Sequence, residues 1–134
     1  MIKQTAKVLK AMGEPTRLTI MKFLSLQELC ICELTAVLNM SQPRVSQHMK
    51  VLKDADLVTE RRFKQKNYFR INPRVMDGFI IEPLRKLILV TPEDMLELAE
   101  EVKRLGALDR NREVQDCIND CREDLTPTRM VKIV

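Results

Sequence analysis

Tryptophan is absent, glycine occurs three times, tyrosine and histidine once each, and aromatic residues make up only 4% of the 134 residues. That poverty fits badly with a collagen-like repeat or an aromatic-rich all-β fold. No stretch approaches the roughly 18 apolar residues that span a bilayer. The longest apolar run is Leu87-Ile88-Leu89-Val90, and the start Met1-Ile2-Lys3 lacks a secretory hydrophobic region. A soluble, cytoplasmic chain with no membrane partner is expected. Missing too are a glycine-rich phosphate loop, a nucleophile elbow and a His-Glu pair placed for catalysis, so the chain does not read as an enzyme.

What is present is 45% apolar and 31% charged residues, enough for one hydrophobic core in a helix-dominated fold. The net charge is only +4, but the charges are segregated. Between Arg44 and Arg74 nine basic residues face three acidic ones, whereas between Glu93 and Asp124 eleven acids face five bases. A polyanion is drawn to the centre of the chain and repelled by its C-terminal third. Residues 1–90 are expected to form the basic domain and 91–134 an acidic helical extension with a loose tail.

Lys3 to Met12 reads as a helix with Ala6, Leu9 and Met12 on one side and Lys3, Lys7 and Lys10 on another, ended by Gly13. Pro15 suits the first turn of a second helix with Leu18, Met21 and Leu24 inward. A third runs from about Cys30 to Leu38, with Leu34, Val37 and Leu38 inward, and breaks at Asn39-Met40-Ser41. Ser41 then caps a helix continuing to about Ala55, where Pro43 is tolerated in the first turn. At about 100° per residue, Val45, Met49 and Leu52 share one face, while Pro43, Ser46, Gln47 and Lys50, with Arg44 at the edge, share the opposite one.

Residues 57–64 and 67–71 are rich in β-branched and aromatic side chains and flank Gln65-Lys66, the pattern of a β-hairpin whose turn type is open. Val75 to Val90 carries more apolar surface than one helix of a small monomer hides, which points to a dimer interface, with Pro83 kinking or dividing it. Thr91-Pro92-Glu93-Asp94 reads as a capping box opening a helix with Met95, Leu98, Val102 and Leu105 inward. Asp109 is expected to cap a last helix bearing Val114, Cys117, Ile118, Cys121 and Leu125, ended by Thr126-Pro127. Met12, Met21, Met49, Met76 and Met95 recur with Leu and Ile and read as core.

Short helices, a Ser-capped helix with a polar face and a basic hairpin describe a winged helix-turn-helix, mainly α, in the order α-α-α-α-β-β-α with extra C-terminal helices. The expected partner is double-stranded DNA. Arg44 and Gln47 are placed to read base edges in the major groove. Ser41, Gln42, Pro43 and Ser46 sit where the helix start holds phosphate, and Lys50 adds charge. Arg61, Arg62, Lys64 and Lys66 on the hairpin meet flanking phosphate or the minor groove. The lone histidine, His48, lies beside Val45 and Met49 and is expected to buttress the fold, with phosphate contact as the alternative.

Four stretches carry a resemblance: Gly13-Glu14-Pro15-Thr16-Arg17-Leu18-Thr19-Ile20, Leu29-Cys30-Ile31-Cys32-Glu33-Leu34, Ser41 to Leu52, and Leu57-Val58. In order and spacing, over Met1 to about Pro73, the chain resembles the ArsR/SmtB metal- and metalloid-responsive repressors. The resemblance implies a homodimer built by the first and last helices that binds a two-fold symmetric operator without a cofactor and leaves it when an inducer ion binds.

The cysteines fall in two pairs, Cys30/Cys32 and Cys117/Cys121. In a reducing compartment such pairs point to metal or redox chemistry more than to structural disulfides, with small buried hydrophobes as the plain alternative. Cys30 and Cys32 match the resembling family's inducer site, where thiolates suit As(III) and Sb(III), or Cd(II) and Pb(II). On a continuous helix residues two apart point about 200° away from each other, so both reach one ion only if the first turn distorts or Cys30 lies outside it. The further cysteine common in the resembling arsenic sensors is replaced here by Glu33-Leu34-Thr35. Cys117 and Cys121, four apart on one helical face, either complete a thiolate site or pack in the core. A thiol redox switch and a metal buffer without a DNA partner are the competing functions.

Overall fold

The computed structural model describes residues 1–78 and 80–120. Two compact units divide the chain, one spanning Met1–Leu87 and one beginning at Ile88.

In the first unit, α1 (Ile2–Met12) buries Thr5, Val8 and Ala11, while Ala6 and Leu9 stand outside and Met12 is half-buried. The face is rotated from the hydropathy expectation because Thr5 hides its polarity locally. Its Oγ1 donates to the Met1 carbonyl at 2.9 Å, leaving the methyl to pack. Next, α2 (Pro15–Leu24) starts with Glu14 at the N-cap and Pro15 at its first position. Ile20, Met21 and Leu24 are buried, and Leu18, expected inside, is half exposed.

Leu29–Cys30 forms a short strand, β1, directly before α3 (Ile31–Leu38). Leu34 is fully buried and Leu38 half-buried, whereas Val37, expected inward, is exposed. Asn39 closes α3 in the left-handed region at φ 51°, a conformation asparagine tolerates. Ser41 stands at the N-cap of α4 (Gln42–Asp54), although its side chain makes no cap hydrogen bond. Val45, Met49 and Leu52 are all buried, and with Ile20, Leu34 and Leu57 they form the centre of the core.

The sheet adds a strand to the expected hairpin. β2 (Val58–Phe63) and β3 (Lys66–Ile71) pair antiparallel, and β1 joins the other edge of β3 with Leu29 opposite Phe69 and Cys30 opposite Tyr68. Phe63 pairs with Lys66, so the turn is Lys64-Gln65, one residue before the expected Gln65-Lys66. Both turn residues lie at positive φ, 47° and 65°, the backbone of a type I′ turn that matches strand twist. Side chains there carry a left-handed cost of about 1–2 kcal/mol per residue. Gln65→Gly is therefore expected to stabilise the protein by about 1 kcal/mol, read from the midpoint of urea unfolding.

After the sheet the chain departs from one long apolar helix. Pro73–Val75 forms a 3₁₀ turn, Gly78 takes φ 84°, and α5 runs only over Ile81–Leu89. Pro83 falls in the first turn of α5, where a missing N–H is tolerated. Met76, read as core, is 81% exposed. Ile81 and Leu84 on α5 are exposed as well.

In the second unit the expected helix after Thr91 is broken. Thr91 Oγ1 donates to Asp94 Oδ2 at 2.6 Å instead of accepting a backbone N–H, and 3₁₀ turns at Pro92–Asp94 and Leu96–Leu98 flank an extended Met95. α6 (Ala99–Gly106) follows, with Leu105 exposed against expectation. α7 (Arg112–Asp120) is capped by Asn111, whose side chain accepts from the Val114 N–H at 3.1 Å. Asp109, the expected cap, sits in the preceding 3₁₀ turn. Met95 is buried and Cys117 exposed. The expectations for Cys121, Leu125, Thr126-Pro127 and the tail fall outside the described residues. None of the described helices is long and apolar enough to cross a membrane.

Candidate nucleic-acid interface and thiol pair

The packing of α4 decides what it offers outward. With Val45, Met49 and Leu52 locked into the core, the 3.6-residue period leaves Gln42, Pro43, Arg44, Ser46, Gln47 and Lys50 exposed on the other side, with Ser41 exposed at the cap. These six helical residues and Ser41 form a polar ridge with its N-terminal N–H groups free of intrahelical partners, a geometry that suits groove entry and phosphate contact.

The wing supplies the second basic surface. Arg61, Arg62, Lys64 and Lys66 are all exposed. They are not equivalent. Arg61 Nε donates to Glu28 Oε2 at 2.6 Å, and that hydrogen bond holds the Glu28 carboxyl below its ordinary range. Its guanidinium also lies 5.8 Å from the centre of the Phe63 ring, with Lys64 Nζ 5.5 Å from the same ring. On α4, Lys53 pairs with Glu60 of β2 at 2.5 Å, which ties the helix to the wing. Between α4 and the sheet opens a groove of about 300 Å³, lined by Ile31, Ser46, Met49, Lys50, Lys53, Glu60, Asn67 and Phe69.

Cys30 and Cys32 lie at the junction of the sheet and α3. Cys30 is buried, extended (φ −92°, ψ 170°), and serves as the N-cap of α3, so it lies outside the helix, one of the two conditions for the thiols to converge. Its N–H donates to Glu33 Oε1 at 3.1 Å, which lowers the Glu33 pKa from its ordinary value. Cys32 is exposed on the first turn. Both thiols line a pocket of about 140 Å³ with Ile31, Lys66 and Asn67. The wing strand thus forms one wall of the thiol site. Among the described residues no group of three or more Cys, His, Asp or Glu is assembled around a metal position.

Asn67 went unnoticed in the sequence, yet it borders both the thiol pocket and the α4 groove. A polar residue in a strand otherwise chosen for Tyr68 and Phe69 was its only signal. His48, in contrast, is where its angle put it: half-buried, with Nδ1 accepting from Arg17 Nη1 at 3.4 Å and lying 3.8 Å from the Glu14 carboxylate. The Glu14 carboxyl is held below its ordinary range, chiefly by the Arg17 backbone N–H it accepts at 2.9 Å.

Residues 14–60, from the start of α2 into the wing, match the model of bacterial regulatory proteins of the arsR family. The chain is 38% identical over 78 residues to an arsenical resistance operon repressor of Staphylococcus aureus, covering 58% of this chain and 75% of that protein. With an arsenic resistance transcriptional regulator of Pseudomonas putida it shares 33% identity over 112 residues, 83% of this chain and 93% of the relative. Its fold resembles the solution structure of a homodimeric winged helix-turn-helix DNA-binding domain from Mycobacterium bovis, with a TM-score of 0.55 and 25% identity over 65% of this chain and 79% of that one. A polar helix face beside a basic wing, together with the family match from α2 into the wing and the identity to these regulators, makes the chain a DNA-binding transcription regulator that belongs to the arsR family.

Proposed function

We propose that the protein is a cytoplasmic, homodimeric repressor of a metalloid-resistance operon, held on a two-fold symmetric operator and released when a thiophilic ion, arsenite or antimonite, engages Cys30 and Cys32. One observation carries the inducible part. Cys30 is both the N-cap of α3, whose Leu34 packs in one cluster with Val45 and Met49 of α4, and the strand partner of Tyr68 in the wing. Drawing two sulfurs onto one ion at that junction disturbs the supports of both DNA-facing elements. The names of the relatives support arsenic as the first inducer to try. The exposed apolar residues Leu9, Ile81 and Leu84, together with the homodimeric Mycobacterium bovis domain, support the dimer.

A second reading has Cd(II) or Pb(II), which thiolates also suit, as the inducer at Cys30 and Cys32. Titrating labelled operator complex with arsenite, antimonite, cadmium and lead separates these readings. Arsenite and antimonite are expected to release the DNA at the lowest concentrations. Release by peroxide with loss of free thiols and without added ion would instead mark a redox switch.

A further inference from the structure

We propose that Arg17 is a positioning residue that sets the angle of α4 relative to α1 and thereby the half-site spacing that the protein accepts on DNA. The inference rests on the reading of the chain as a two-fold dimer on its operator. From the first turn of α2, this one side chain reaches the C-terminal end of α1 and the middle of α4. Arg17 Nε donates to the Ala11 carbonyl at 2.5 Å and Nη2 to the Lys10 carbonyl at 3.1 Å, both in the last turn of α1, where the Lys10 carbonyl also accepts from the Gly13 N–H at 3.3 Å. Nη1 donates to His48 Nδ1 on α4 at 3.4 Å. At its own end, the Arg17 N–H is taken by Glu14, the cap of α2, and the same carboxylate lies 3.8 Å from His48.

Ridge-into-groove packing favours a class of helix crossing angle with a scatter of about 15–20°, and directional hydrogen bonds narrow it further. Val45, Met49 and Leu52 hold α4 against the core. A guanidinium is a rigid planar fork whose donors have fixed directions, and it spans from the α1 carbonyls to the imidazole as a strut. The corner it braces is tight: a side chain at Gly13 would bring Cβ to 3.1 Å from the Leu9 carbonyl. His48 directly follows Gln47, so the strut grips α4 beside a residue of the reading face. Leu9, on the exposed side of α1 and among the residues assigned above to the second copy, also borders an apolar pocket with Val8, Ile80 and Pro83. Arg17 therefore links the helix that faces the partner to the helix that faces DNA. In a two-fold dimer the reading helices enter grooves about 34–36 Å apart, so a small error in that angle displaces both half-sites.

The test uses the full chain and the duplex it selects from a random-sequence pool. Affinity is measured for that duplex, for versions with the half-sites one base pair closer or farther, and for a duplex with a single half-site. The wild type is expected to prefer one spacing by about tenfold or more, within the range of a single defect in a specific site. In Arg17→Lys, Arg17→Ala and His48→Leu the preference is expected to shrink to about threefold, with single-half-site affinity within about twofold of wild type. His48→Gln keeps an acceptor and is expected to restore most of the preference. Should Arg17→Ala fail to fold, Arg17→Lys and His48→Leu carry the comparison, with thermal melting as the control. A spacing profile as steep in Arg17→Lys and His48→Leu as in the wild type overturns the proposal. So does a loss on the single half-site equal to that on the full duplex, which marks a purely structural role. A wild type that selects no duplex, or shows no spacing preference, defeats the dimeric DNA reading itself and this proposal with it.

Discussion

Replacing Arg44 and Gln47 together by alanine is expected to lower affinity for the selected operator by about 100-fold or more, while non-specific duplex binding falls only about threefold. Bidentate contacts to base edges contribute about 1–3 kcal/mol each of discrimination, and two such losses give that range. Both side chains are exposed on the ridge of α4 opposite Val45, Met49 and Leu52, so their removal opens no cavity and the melting temperature is expected to hold. The wing behaves differently. Lys64→Ala or Lys66→Ala is expected to remove a phosphate contact, weaken all duplexes alike and reduce the slope of affinity against log salt by about one. Arg61→Ala is expected to do less, because its guanidinium is already engaged by Glu28 at 2.6 Å and must leave that carboxylate to reach phosphate. Fluorescence anisotropy on selected and scrambled duplexes at several salt concentrations distinguishes these outcomes. Equal losses on both duplexes for the Arg44/Gln47 pair would place base reading elsewhere.

The reading helix was legible because its two faces obey one period: three apolar residues at 45, 49 and 52 are buried and every polar residue assigned opposite them is exposed. The basic hairpin was legible from composition instead, β-branched and aromatic residues flanking a polar turn. What escaped the sequence was whatever depends on distant partners. β1 is only Leu29–Cys30, too short to show any period, and exists as a strand because Phe69 and Tyr68 stand beside it. The inward side of α1 was misjudged because hydropathy ranks Ala6 and Leu9 above Thr5, whereas a threonine that satisfies its own hydroxyl packs as an aliphatic residue. The hairpin turn was misplaced by one residue since neither Lys64 nor Gln65 advertises a left-handed backbone. Arg17 was read only as one letter of a motif. Its partners lie six to thirty-one positions away, a distance at which neither periodicity nor composition carries information.

That wall of β3 beside the thiols matters for how the two cysteines are expected to respond to replacement. Cys30→Ser is expected to fold and bind operator within about threefold of wild type, because serine is a preferred N-cap and keeps the strand pairing with Tyr68, which uses backbone alone. Cys32→Ser changes an exposed side chain on the first turn of α3 and is expected to be equally neutral for DNA. In both, release by arsenite is expected to need about 100-fold more ion or to vanish, since one thiolate cannot draw α3 and β1 together. Reciprocity sharpens the prediction. A typical coupling of about 1–3 kcal/mol means that the ion must bind the operator complex about 5- to 150-fold more weakly than the free protein. Calorimetry with arsenite on free and DNA-bound wild type measures that ratio directly, and anisotropy on the two serine variants measures the loss of release. Equal ion affinity with and without DNA, or undiminished release from both variants, would remove Cys30 and Cys32 from the switch and leave the basic wing and α4 as a regulator controlled by some other route.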